Sequence, residues 1–580
     1  MDHKARYELW LASSVIDEKT KQELRELEGD EAEIRERFYK ELEFGTAGLR
    51  GKLGAGADRM NQYVIARATD AFAKVILSEG DAFSKRGVVI AHDPRLFSKE
   101  FALTAALVFA SNGIKAYLFE DLRPTPELSF AVRHLNCAAG LNITASHNPK
   151  DYNGYKVYWE EGSQIKDDIA DRILEQIARL DRFEKVEYLC RKNIYTKEWA
   201  LKNGLLEYIG KSVDDAYNEA VKALSLNDEE LDKSLRIVYT PLNGAGNVPV
   251  RRVLKERGFE QVYVVKEQEM PDGTFPTIEY PNPEDTRAFE YALRLAKEVD
   301  GELVIATDPD CDRIAIIVKH GGEYVEINGN QAGYILVHYI LSQMDAKDMI
   351  EKDALIVKSI VTSELGAKIA KKYGVPTRSV LTGFKNICGV QNELDRTGGG
   401  KMIMGWEESI GYAVGTFVRD KDGVSASMLF AEIAAYYKKR DMTLIDLLEE
   451  LFQEFGYHLD DTVSIVLEGL QGQERIGRMM SQYREMYPEE IGSMRSQKYL
   501  DYKTSEELDI ISGEKTVIDV EKQNAIKFIM DDTSWYALRP SGTEPKIKIY
   551  MNTVGKTREE AQEKLALMKE KVIGLLHGIE

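Results

Sequence analysis

The 97 acidic side chains of this 580-residue chain outnumber 77 basic ones, giving a formal charge of −20. That surplus disfavours broad adhesion to nucleic acid or anionic lipid, which depends on neutralising phosphates, yet leaves room for a local basic pocket around a small anion. With 43% apolar and 30% charged residues, the composition is that of a globular chain of about four domains and excludes a disordered or fibrous one.

In chain order, Asp17 to Leu42 reads as a charged amphipathic helix, a solvated N-terminal extension. Val88–Ala91 follows as a strand. Ser98 caps a helix to Asn112 with Gly113 as its stop, and strands follow at Ala116–Phe119 and Ala138–Thr144. The rhythm returns with strands near Arg236–Thr240, Gln261–Val265 and Leu303–Thr307, separated by helices over Val250–Arg257 and Thr286–Glu298. It returns again with helices at Gln331–Leu341 and Glu364–Tyr373 and strands at Leu355–Val361 and Arg378–Leu381. Near-continuous apolar strands separated by helices predict parallel sheets covered on both faces. The tail differs, with strands near Ala525–Met530, Trp535–Leu538 and Ile547–Tyr550 before a helix over Arg558–Leu576, a small α+β domain. Residues 456–522 give no firm boundary.

Cys137, Cys190, Cys311 and Cys388 are scattered without a C-x-x-C, which fits reduced thiols. The N-terminus, Met1-Asp2-His3-Lys4-Ala5-Arg6, carries no apolar leader, and no apolar stretch reaches the about 18 residues of a membrane span. A cytoplasmic location is expected.

Four loops carry chemistry. Thr144-Ala145-Ser146-His147-Asn148-Pro149 follows a buried strand at the carboxyl end, where α/β folds hold ligands, and is suited either to Ser146 as a nucleophile or phosphate carrier or to a polar turn ended by Asn-Pro. No acidic residue completes a Ser-His-Asp triad, and no G-x-S-x-G elbow is present. Asp308-Pro309-Asp310-Cys311-Asp312-Arg313 crowds three carboxylates into one turn, a crowding that a hard divalent cation relieves, and the spacing excludes an EF-hand. Gly405-Trp406-Glu407-Glu408-Ser409-Ile410-Gly411 sets paired carboxylates between glycines, suited either to sugar hydroxyls or to a plain surface turn. Arg539-Pro540-Ser541-Gly542-Thr543-Glu544-Pro545-Lys546 forms a small anion nest that matches no Walker pattern. A serine, a metal site, a hydroxyl reader and a phosphate clamp are the parts that phosphoryl transfer requires.

In these four loops, in this order, the chain resembles the α-D-phosphohexomutase superfamily. The resemblance implies four domains around a central cleft: three similar mixed α/β domains and a C-terminal α+β domain. The expected spans are an extension 1–43, then 44–205 with the phosphoserine loop, 206–323 with the metal loop, 324–455 with the sugar loop and 456–580 with a linker and the phosphate loop. It implies that Ser146 is phosphorylated and that Asp308, Asp310, Asp312 and a phosphoserine oxygen hold Mg2+, with glucose 1,6-bisphosphate as activator. Arg313, Glu407 and Ser409 would bind the sugar phosphate, and Arg539, Ser541, Gly542, Thr543 and Lys546 its distal phosphate. Lys156, Lys385 and Arg50 are expected around the phosphoserine, where cationic neighbours lower a lysine's pKa and make it a proton acceptor. His147 is expected to orient the serine loop.

The Glu-Glu-Ser loop resembles the glucose-preferring branch, so the expected activity is interconversion of glucose 1-phosphate and glucose 6-phosphate through a bisphosphorylated sugar. Phosphopentomutase and phosphomannomutase activities are the alternatives within the superfamily. Outside it stand a haloacid-dehalogenase-like phosphatase, with Asp308 as nucleophile, and a non-catalytic sugar-phosphate sensor. Small-molecule sugar phosphates are the expected partners, with no nucleic acid and no membrane, and the sequence assigns no oligomeric state. The segment Pro271-Asp272-Gly273-Thr274-Phe275-Pro276 fits a long-chain subgroup, whereas Cys311 and Asn243 depart from its usual small residue and histidine.

Overall fold

The computed structural model describes residues 2–45, 48–467, 469–541 and 546–579. They form two compact units, each assembled from separate stretches of chain. The first comprises Met1–Gly329, Glu351–Asp353 and Cys388–Thr443; the second comprises Asn330–Ile350, Ala354–Ile387 and Leu444–Glu580.

In the first unit, the extension is three short helices, His3–Ala12, Glu18–Arg25 and Glu31–Phe38, instead of one long solvated helix. Asp2, Asp17 and Asp30 each accept a backbone N–H at a helix start, so the chain restarts three times. Trp10, Leu24, Ile34 and Phe38 are buried with the core of the sheet that follows, which docks the extension by its apolar residues while its charged ones stay at the surface.

That sheet runs Leu49–Lys52, Tyr152–Trp159, Ala139–Ile143, Val88–His92, Ala116–Phe119, Leu206–Ile209. Its last four strands are parallel; the first two join antiparallel. Val88–His92 is buried throughout, as its apolar run predicts. Ser98 is the first residue of its helix, not its cap: Phe97 takes the cap position with φ 66°, and the Ser98 hydroxyl donates to Asp93 Oδ1 at 2.8 Å.

The second sheet runs Glu323–Ile327, Ile314–His320, Leu303–Thr307, Ile237–Thr240, Val262–Val264. Its last three strands are parallel, and the loop of the three aspartates turns back into the antiparallel strand Ile314–His320. The stretch Cys388–Thr443 adds the hairpin Lys401–Glu407 with Gly411–Val414 and the helix Gly423–Lys438. It is tied to earlier chain by Tyr217 Oη donating to Asp422 Oδ1 (2.8 Å), Tyr158 Oη to Asp420 Oδ2 (2.7 Å) and the Arg419 N–H to Ser129 Oγ (2.8 Å).

In the second unit, Ala354–Ser359 pairs parallel with Thr377–Val380. The C-terminal region is more β-rich than the sequence suggests: Tyr457–Val466, Lys546–Gly555, Trp535–Pro540, Ile526–Met530, Met494–Asp501, Glu506–Asp509 and Lys515–Val517 follow one another across a sheet. Tyr457–Val466 escapes the sequence pattern because its polar residues Asp460, Asp461, Thr462 and Ser464 interrupt any apolar run.

All four cysteines are free, and no described helix is long and apolar enough to cross a membrane. In the second unit, His338 is packed beside Tyr373 with Nδ1 buried and unpartnered; burial, helped by Lys372, pushes its pKa down to about 4. The unfolded chain therefore binds a proton between about pH 6.5 and 4 that the folded chain refuses, and stability falls as pH drops through that window. We expect His338→Phe to recover about 1–3 kcal/mol at pH 4.5 relative to pH 7.5, read by urea unfolding at both pH values; equal shifts at the two pH values would contradict it.

Candidate active site

The serine loop leaves the carboxyl end of Ala139–Ile143, and Ser146 adopts φ 51°, a left-handed conformation that a non-glycine residue holds only when its surroundings impose it. Here the Ser146 N–H bonds Thr144 Oγ1 at 2.8 Å. Arg95, wholly buried, donates to the carbonyls of Ser146 and Asn148 at 2.5 Å, of Pro149 at 2.7 Å and of Tyr152 at 3.1 Å. Gly154 has to be glycine, since a Cβ there would lie 2.3 Å from the Thr144 carbonyl oxygen.

From this loop Ser146 Oγ donates to Asp308 Oδ2 at 2.8 Å and lies 3.2 Å from His147 Nδ1. The serine and aspartate loops are thereby brought into direct contact. Asp308, Asp310 and Asp312 gather their oxygens within 4.8 Å of one another, all buried. Asp308 Oδ1 accepts the N–H groups of Asp312 (3.1 Å) and Arg313 (3.0 Å), and Cys311 turns the loop with φ 53°. Thr125 ties the loop down: its N–H bonds the Asp310 carbonyl at 2.9 Å and its hydroxyl Asp310 Oδ2 at 2.7 Å.

Lys156 Nζ lies 2.7 Å from Asp310 Oδ2 and 3.0 Å from Asp312 Oδ2, and Lys421 Nζ 3.2 Å from Asp312 Oδ2. Asp310 Oδ1 and Asp312 Oδ1 are buried without hydrogen-bond partners. A set of hard oxygens, two of them buried and unpartnered, fits a divalent cation, so this group could hold a metal ion.

The electrostatics follow from this crowding. Burial, then the Asp310 and Asp312 charges, push the Asp308 carboxyl well above its ordinary value. Burial also opposes ionisation of Asp310, but Lys156 outweighs it and holds that carboxyl low. Burial alone would lower Lys156; Asp310 and Asp312 override it and hold the lysine above its usual pKa. This corrects the expectation of cationic neighbours, since the groups nearest Lys156 are anions from another part of the chain and keep it an ammonium. His147 goes the other way, driven well below its ordinary pKa by burial and by Arg313 and Arg50, so it is neutral. It serves as a hydrogen-bond partner of the serine.

Arg50, on Leu49–Lys52, donates to Asn148 Oδ1 at 2.9 Å and so joins the serine loop. Arg313 is mostly enclosed, with Nε unpartnered and a guanidinium nitrogen 3.5 Å from Glu284. Glu407 is buried at the end of its strand, and its charge acts on Arg313 and Lys421; Ser409 is half-buried in the turn that follows. The first unit thus gathers Ser146, His147, Lys156, Arg50, the aspartates, Arg313 and Glu407.

Ser409 lies in the same unit, whereas Lys385, Arg539, Ser541 and Lys546 belong to the second unit. Lys385 is near the start of helix Phe384–Thr397. Arg539 donates to Tyr550 Oη at 3.0 Å, and the Ser541 N–H bonds the Lys546 carbonyl at 2.8 Å. Gly542 and Thr543 lie outside the described residues.

Sequence reasoning missed Arg95, Thr125 and Lys421. Asp93-Pro94-Arg95 at the end of Val88–His92 and the charged run Arg419-Asp420-Lys421-Asp422 were the available signals.

Residues 41–184, 215–322 and 328–455 match phosphoglucomutase/phosphomannomutase alpha/beta/alpha domains I, II and III in turn. A phosphoglucomutase of Staphylococcus aureus (strain MRSA252) is 36% identical over 537 residues, covering 92% of this chain and 94% of its own. Among solved structures, a phosphoglucomutase/phosphomannomutase family protein from Burkholderia thailandensis superposes with TM-score 0.65 at 19% identity, covering 93% of this chain and 98% of that one. The open form of Paramecium pp63/parafusin, a phosphoglucomutase, gives 0.67 at 18% identity, covering 93% and 95%.

Proposed function

The chain belongs to the phosphoglucomutase/phosphomannomutase family of the α-D-phosphohexomutase superfamily, an isomerase of the phosphotransferase kind, and from that premise we propose that it interconverts glucose 1-phosphate and glucose 6-phosphate. The observation that carries the reading is Ser146 Oγ hydrogen-bonded at 2.8 Å to Asp308, one of a buried aspartate trio. Identity of 36% to a phosphoglucomutase over 92% of the chain supports glucose as the sugar.

In this reading Ser146 carries a phosphoryl group. It passes from Oγ to the free hydroxyl of the bound sugar phosphate: the Oγ–P bond breaks, a bond from the sugar oxygen to phosphorus forms, and the hydroxyl proton leaves to a base. The bisphosphorylated sugar then turns over and returns its other phosphate to Oγ, so the enzyme ends as it began. Glucose 1,6-bisphosphate is accordingly the activator that loads an unphosphorylated chain.

Mg2+, held by Asp308, Asp310 and Asp312, would supply positive charge against the phosphoserine and the anionic substrate. The chain's own groups do the rest. Thr144 Oγ1 and Arg95 hold the Ser146 backbone, and neutral His147 hydrogen-bonds Oγ. Arg50 and Arg313 present cations to phosphate oxygens, while Glu407 and Ser409 accept and donate to sugar hydroxyls. Lys156 acts as an acid while Asp310 and Asp312 hold its proton; its service as a base requires their charge to be taken up elsewhere. Lys385 is the second proton-transfer candidate, and Arg539, Ser541, Gly542, Thr543 and Lys546 form the clamp for the phosphate that is not reacting.

The test is kcat/KM for glucose 1-phosphate, mannose 1-phosphate and ribose 1-phosphate with Mg2+ and a trace of the matching bisphosphate. Glucose 1-phosphate should lead by at least about tenfold, or about 1.4 kcal/mol of transition-state discrimination. Preference for ribose 1-phosphate would overturn the substrate assignment.

A further inference from the structure

The segment Pro271–Pro276 and the residue Asn243 find no role in the reaction as described, yet together they link the two reactive loops. Gly273 pairs with Arg95 in an isolated β-bridge, and a Cβ at Gly273 would fall 2.5 Å from the Pro94 carbonyl oxygen, so the two backbones are in direct contact. Two residues on, Phe275 is 3% exposed, adopts φ 44°, and lays its ring 5.0 Å from the Arg95 guanidinium carbon. The same guanidinium holds four carbonyls of the serine loop and the strand after it.

The segment's far end reaches the metal loop. Asn243 Nδ2 donates to the Met270 carbonyl at 2.8 Å, and the Asn243 carbonyl accepts the Asp272 N–H at 3.2 Å. Next in the same turn, the Ala245 N–H bonds the Pro309 carbonyl at 2.8 Å, and a Cβ at Gly244 would meet Pro309 Cα at 2.6 Å. A closed ring results: serine loop, Arg95, Phe275 segment, Asn243 turn, aspartate loop, and back through Ser146 Oγ to Asp308.

We propose that Phe275 is a positioning residue which, through Arg95, fixes the place of Ser146 Oγ relative to the aspartate trio, with Asn243 anchoring the segment that carries it. The inference rests on Ser146 being the phosphoryl carrier. The ring face stabilises the buried guanidinium by cation–π attraction and blocks its withdrawal from the carbonyls. Phosphoryl transfer is sensitive to displacements of a fraction of an ångström to an ångström, so loosening this brace acts on the chemical step and not on sugar binding.

The test compares Phe275→Leu, which keeps apolar bulk without a ring face, Phe275→Ala, and Asn243→Ala in the full-length chain. Circular dichroism confirms folding, intact mass reads phosphate on Ser146, and steady-state assays give kcat and KM for glucose 1-phosphate. We expect kcat to fall about tenfold in Phe275→Leu and about 100-fold in Phe275→Ala, with KM within about twofold of the unaltered chain and a smaller kcat loss in Asn243→Ala. A folded Phe275→Ala with kcat within about twofold, or a loss carried wholly by KM, overturns the proposal; if Phe275→Ala does not fold, Phe275→Leu decides by the same criteria. An unaltered chain with neither phosphate on Ser146 nor mutase turnover overturns the carrier assignment itself, whereas normal turnover with unaffected variants overturns only the brace.

Discussion

Ser146→Ala should lower mutase turnover by more than about 10³-fold, because it deletes the protein oxygen that carries the travelling phosphoryl group between the two sugar hydroxyls. The chain should still fold. The side chain contributes one hydrogen bond to Asp308 and a contact with His147, while the loop's conformation is held from Thr144 and Arg95. A lost bond of this kind costs about 1 kcal/mol, which for a protein of this size corresponds to a melting shift of about 2–4 °C or less. Intact mass should show no phosphate on the variant after incubation with glucose 1,6-bisphosphate. Turnover that survives the substitution would remove Ser146 from the mechanism.

The second large effect concerns charge. Lys156 is the cation closest to both Asp310 and Asp312, at 2.7 and 3.0 Å, with all three side chains buried. Lys156→Met keeps most of the volume, takes the lysine from Asp310 and leaves Asp312 paired with Lys421. Breaking a buried ion pair from one side costs about 3–5 kcal/mol, and that loss should appear in metal-free buffer. Added Mg2+ should restore more of the melting temperature in Lys156→Met than it adds to the unaltered chain, because it replaces a missing counter-charge in one case and competes with a resident ammonium in the other. Equal Mg2+ shifts in the two chains would show that the aspartate group is not where the ion binds. Activity of Lys156→Met should fall by about 10²–10⁴-fold even at saturating Mg2+, the range that a positioned proton donor or acceptor contributes.

The sequence made Ser146 and Asp308 legible for the same reason: each lies just past a fully buried apolar run, Ala139–Ile143 or Leu303–Thr307, where polar residues are conspicuous. The antiparallel additions were harder to see. Tyr152–Trp159 and Ile314–His320 pair with strands already read, but their register is set by those partners and not by any local pattern. Arg95 could not be read as a clamp because its four acceptors are carbonyls, which every residue carries. The sign of the Lys156 shift failed for a related reason: its neighbours are fixed by folding, and the aspartates that come nearest are far from it in the chain. The extension misled because charge density suggested a solvated helix, while Trp10 and Phe38, spaced across two different helices, gave no single amphipathic stripe.

The order in which the two compact units draw on the chain bears on how the protein is made. The first unit is not finished at Gly329; it also needs Cys388–Thr443, which delivers Asp420, Lys421 and Asp422 to partners synthesised far earlier. On the ribosome, Tyr158 and Tyr217 must therefore wait, unsatisfied, until the nascent chain has lengthened past Thr443 and that stretch has emerged. Fragments cut at the apparent end of the second sheet should be recovered as aggregates, and a pause in translation before residue 388 should expose the half-built reaction centre to chaperones.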